Sequence, residues 1–70
     1  MATFQDRFHK IIKQAKREAE RDGSAVAILN LNQIGSPMLV IRPREWSDSH
    51  DCVAQVHADG TVTETGRMRN

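Results

Sequence analysis

Residues 3–23 read TFQDRFHKIIKQAKREAERDG, and this stretch decides the fold. Phe4, Phe8, Ile11, Ala15 and Ala19 recur at steps of three and four, with Ile12 beside them. That spacing draws one apolar stripe along a helix. At the front, Thr3 can accept the Asp6 amide while Asp6 reaches back, an acidic capping box at the positive end of the helix dipole. Gly23 stands where the chain needs a left-handed residue to leave the helix. The expected element is a helix over 3–22.

The other side of this helix is basic. Lys10, Lys13, Arg17 and Arg21 lie opposite the apolar stripe, flanked by Arg7 and Gln14. At 1.5 Å per residue the four cations span about 16 Å, enough to follow a phosphate backbone or an acidic protein surface. A solvated helix face softened by Asp6, Glu18 and Glu20 has the same composition.

Beyond Gly23 the period changes from helix to strand. Residues 24–32 are aliphatic on both faces, the mark of a strand covered on two sides or lying centrally. Gln33, Ile34, Gly35 and Ser36 read as a turn, and a second strand runs over 37–42 until Pro43. Residues 44–50 form a polar loop with room for one helical turn; within it Trp46 serves as a lid on the core edge or as an anchor for a partner. A third strand over 51–58 carries Cys52, Ala54 and Val56 on one face. Ala58-Asp59-Gly60 then turns the chain into a fourth strand over 61–65. A three-residue loop with Gly60 left-handed sets Val56 opposite Val62 and is preferred over a two-residue loop that would face Val56 with Thr63. The tail 66–70 has little to bury and is expected to fray.

Seventy residues make one domain, and a core of that size rarely supplies more than about 3–5 kcal/mol. With Cys52 alone, an internal disulfide is impossible. No apolar run approaches membrane-spanning length and the front of the chain does not read as a signal peptide, so a soluble, cytoplasmic protein is expected. The net charge of +1 hides an uneven distribution. Glu45, Asp48, Asp51, Asp59 and Glu64 fall within 45–65 with no cation among them, while Arg42 and Arg44 extend the basic front half.

Chemistry-bearing residues are sparse. His50 and Cys52 share a strand face, where a histidine can activate a thiolate, but no orienting third group or oxyanion donors accompany them. Cys52 in line with Ala54 and Val56 reads as core. His9, His50, Cys52 and His57 lack the paired spacings of a zinc site. Asp48, Asp51 and Asp59 each have a local role in a loop, strand start or turn. The four glycines fall singly, so there is no phosphate-binding loop and no cofactor motif.

The resulting expectation is an α+β domain, one N-terminal helix on one face of a four-stranded antiparallel meander. With Ala27, Leu29, Leu31, Leu39 and Ile41 placed under the helix, alternation sends Val26, Ile28, Met38 and Val40 to an open face. Such a patch predicts a homodimer, face to face, or a protein partner using the same surface. The functional expectation is a small non-enzymatic protein-binding module, an adaptor, inhibitor or regulator of a larger complex. The alternative is a nucleic-acid binder using the helix stripe with Arg42 and Arg44, weakened by having Trp46 as the one aromatic free to stack on a base.

Overall fold

The helix forms where its caps and stripe place it. In the computed structural model, which describes residues 3–32, 35 and 38–65, α1 spans Phe4–Asp22. The Asp6 amide donates to Thr3 Oγ1 at 3.2 Å, and the Thr3 amide donates to Asp6 Oδ2 at 3.2 Å. Gly23 closes the helix at φ +69°, with its amide on the Ala19 carbonyl at 2.8 Å. Phe8, Ala15 and Ala19 are buried, and Phe4, Ile11 and Ile12 flank them half-buried. Two alanines at the centre of the stripe let the helix axis approach the sheet closely, while Phe4 and Phe8 stack with ring centroids 5.6 Å apart.

Four antiparallel strands follow: β1 (Val26–Asn30), β2 (Leu39–Pro43), β3 (Cys52–Val56) and β4 (Val62–Glu64). The α+β class with one N-terminal helix is as the sequence indicates. The strand order is not that of a simple meander, however: it runs β2-β1-β3-β4. β1 is central and buried along its whole length, which is what its two-sided aliphatic character demands. Because β2 and β3 are both antiparallel to β1, they run parallel to each other on either side of it. The chain from Pro43 to Asp51 must therefore cross over β1, and it does so as a 3-10 helix, η1 (Arg44–Asp48). This crossover touches β1, β2 and β3 but not α1, so it lies on the sheet face that the helix leaves uncovered.

That crossover corrects the expected faces. Val26 (6% exposed) and Ile28 (fully buried) belong to the core under α1, with Val53, Ala54 and Val56 from β3 and the half-buried Leu39, Ile41 and Val62. Ala27, Leu29 and Cys52 form a second, smaller cluster with Val40 on the opposite face. The register explains the reversal. Ile28 pairs with Ile41 and Leu29 with Val40, and directly opposed residues share a face. No open Val26/Ile28 surface exists.

β3 also departs from strict alternation. Its pairing with β1 shifts by one residue between Ile28 and Leu29, so Ile28 faces Ala54 while Leu29 faces Cys52. Val53 is the extra residue, and the bulge leaves Cys52 on the crossover face while Val53, Ala54 and Val56 face the helix. The expected alignment of Cys52 with Ala54 and Val56 therefore fails.

The β3–β4 hairpin takes the three-residue loop. Val56 pairs with Val62, the His57 amide donates to the Thr61 carbonyl at 2.8 Å, and Gly60 sits at φ +92°. The Thr61 amide donates to Asp59 Oδ1 at 2.9 Å and, with the Thr61 side chain, holds this exposed carboxyl below its ordinary value of 3.8. The sign follows from linkage: the contribution is present above the ordinary pKa and is lost as pH falls through the lowered one. The turn expected at 33–36, apart from Gly35, and the tail 66–70 lie outside the described residues.

Candidate functional site

The cysteine is not placed for catalysis. Cys52 is fully buried and its Sγ donates to the Ala54 carbonyl at 3.3 Å, while His50 is exposed and makes no hydrogen bond to it. Nor do the histidines converge. His57 shares a hydrogen bond with Thr63 at 3.1 Å across the hairpin, His9 is exposed on α1, and among the described residues no three His, Cys, Asp or Glu side chains are grouped to hold a metal ion. Asp59 is occupied with its turn.

The basic helix face lies where the periodicity puts it. Lys10, Lys13, Arg17 and Arg21 are all exposed, on the side away from Phe8, Ala15 and Ala19. Arg21 Nε lies 3.7 Å from Asp22 Oδ1, a solvated pair. Gln14 donates to Glu18 Oε2 at 3.2 Å beside the row. Among the described residues, Lys10, Lys13 and Arg17 are held in no ion pair.

Apolar surface is concentrated elsewhere. Among the described residues the large hydrophobic side chains left exposed are Leu31 (44%), Met38 (55%) and Trp46 (47%). The Leu31 amide donates to the Met38 carbonyl at 2.9 Å, so the ladder of β1 and β2 continues one pair past its ends. Two-residue alternation from Leu29 and Val40 then places Leu31 and Met38 on the crossover face. Trp46 sits on the crossover itself, half over the sheet and half in solvent. Met38 and Trp46, both exposed, were legible in the sequence as candidates. Leu31 was not, because its face depends on the Ile28–Ile41 register. Asn30 fixes this end of the sheet: its Oδ1 accepts the Asn32 amide at 3.2 Å and the Met38 amide at 3.1 Å.

A cleft of about 230 Å³ opens between the last turn of α1 and the β2–η1 junction. Glu18, Asp22 and Glu45 line it together with Arg42 and Arg44. Arg42 Nη1 donates to the neighbouring Ile41 carbonyl at 3.0 Å rather than to a carboxylate. Charges of both signs leave the cleft without the convergent polarity that selects one ligand.

Among the described residues no helix is long and apolar enough to cross a membrane. Compared with family models, curated proteins and solved structures, the chain matches none of them.

Proposed function

We propose that the chain is a non-enzymatic protein-docking module that holds its partner on the crossover face through Leu31, Met38 and Trp46. One observation carries this reading: the exposed large apolar side chains of the described residues fall on the face away from the helix, and two of them are cross-strand neighbours. An indole and a thioether are residue types enriched at protein interfaces. Burial of Cys52 supports the non-enzymatic half of the reading.

The second reading, nucleic-acid binding along Lys10, Lys13 and Arg17, is supported by three exposed cations that pair with no carboxylate among the described residues. Two variants separate the readings. Met38→Glu with Leu31→Glu is expected to abolish capture of the partner that the wild-type protein retains, while Lys13→Glu with Arg17→Glu leaves it unchanged. Both pairs change exposed positions, so circular dichroism should show folded proteins. The opposite pattern, together with nucleic-acid affinity falling about 0.9 log units per log of salt for each phosphate neutralised, would replace the first reading with the second.

A further inference from the structure

We propose that the free edge of β2 pairs with the β2 edge of a second copy, joining two sheets into one about a two-fold axis. This goes beyond the docking reading and does not depend on it.

The sheet has two edges, β2 and β4, and they differ in chemistry. β4 is three residues long and carries Thr63 and Glu64, the short, polar form in which natural edges are blunted. β2 carries Leu39, Val40 and Ile41 in succession, each half-buried, with no charge until Arg42. An aliphatic edge strand of this kind presents unpaired backbone groups beside apolar surface, and what satisfies both is another extended strand.

The hydrogen-bond phase identifies the groups on offer. Leu31 and Met38 form a hydrogen-bonded pair, so Leu29/Val40 and Ala27/Arg42 are bonded pairs as well. The N–H and C=O groups of Leu39 and Ile41 therefore point away from β1, out of the sheet edge. Three antiparallel two-fold registers bring these groups together. One centred on Leu39 pairs only Leu39 within β2, whose first residue it is, and one centred on Ile41 opposes Leu39 to Pro43 of the second copy, which has no N–H to donate. The register centred on Val40 avoids both. It opposes Leu39 to the second copy's Ile41 twice over and forms four backbone hydrogen bonds.

Side chains agree with that register. On the helix side, leucine meets isoleucine at both bonded pairs. On the crossover side, Val40 meets its own copy, and Met38 lies opposite Arg42 of the second copy, so no two like charges face each other. The Arg42 guanidinium now donating to the Ile41 carbonyl is the group that must share or yield this acceptor, which has a second lone pair. Pairing also brings the two exposed Met38 side chains onto one continuous face.

Sedimentation equilibrium at micromolar concentration should give twice the 7.9 kDa chain mass. In the same solutions, hydrogen exchange should show the Leu39 and Ile41 amides protected, with protection lost on dilution into the monomer. Val40→Cys provides a covalent readout that does not require a weak dimer to survive dilution. The central non-bonded pair has Cα atoms about 4.5 Å apart, within disulfide reach, so mild oxidation should yield a cross-linked dimer. Val62→Cys on the β4 edge should not cross-link. A mass of one chain at every concentration overturns the proposal. So does a dimer whose Leu39 and Ile41 amides exchange freely.

Discussion

Phe8→Ala is expected to unfold the protein. Phe8 is 7% exposed, stacks on Phe4, and belongs to the cluster that joins α1 to Val26, Ile28, Val53 and Val56. Truncating a buried phenylalanine costs about 3–5 kcal/mol in lost transfer free energy and residual cavity. A core of this size supplies about the same amount in total, so little stability remains. Thermal circular dichroism should show the cooperative transition lost or displaced below room temperature. A Phe8→Ala protein melting where the wild type melts would mean that the helix stripe does not seal a core.

The second large effect is expected on the opposite face. Leu29 is fully buried, in contact with Ala27, Cys52 and Val40. Its cover is the crossover η1 and not α1. If that crossover packs as a true second layer, Leu29→Ala costs about 2–5 kcal/mol, as for leucines in other cores. If η1 were a loosely laid loop, water would fill the space and the cost would drop below about 1 kcal/mol. Urea titration distinguishes the two, provided the slope is unchanged so that the midpoint reports stability.

These two residues also show which parts of the structure were legible in sequence. The helix was, because caps and period agree independently: Thr3, Asp6 and Gly23 set its ends, and Phe8, Ala15 and Ala19 its buried side. So was the β3–β4 loop, where matching Val56 with Val62 selected the turn that Gly60 then accommodates. The face of β1 was not legible. A strand that is apolar on both sides carries no alternation from which to read parity, so Ile28 and Leu29 were interchangeable until Ile41 and Val40 were seen opposite them. The crossover was hidden for a related reason. Residues 44–50 are polar, and nothing in their composition distinguishes a loop leaving the sheet from one lying across it. Trp46 was the one signal, and it lies on the crossover with about half its surface exposed.

The candidate surface inherits that ambiguity. Met38 was named through strand alternation and Trp46 as an apolar residue in a polar loop, and both are exposed. Val26 and Ile28 were grouped with Met38 only through the wrong parity, and their burial removes the sheet-face dimer that depended on them. The basic row on α1 needed no tertiary information, since 3.6-residue periodicity alone puts Lys10, Lys13 and Arg17 opposite the core.

The central claim is that both faces of the sheet are closed, α1 over one and η1 over the other, which leaves Leu31, Met38 and Trp46 as the exposed large apolar side chains among the described residues. Cys52 reports on this directly, being the one cysteine of the chain and fully buried beneath the crossover. Titration of the native protein with a chromogenic disulfide reagent should release no signal until denaturant is added, and then the equivalent of one thiol. Reaction of one thiol in the folded protein, as fast as that of a free cysteine, would contradict the account and leave the second face open.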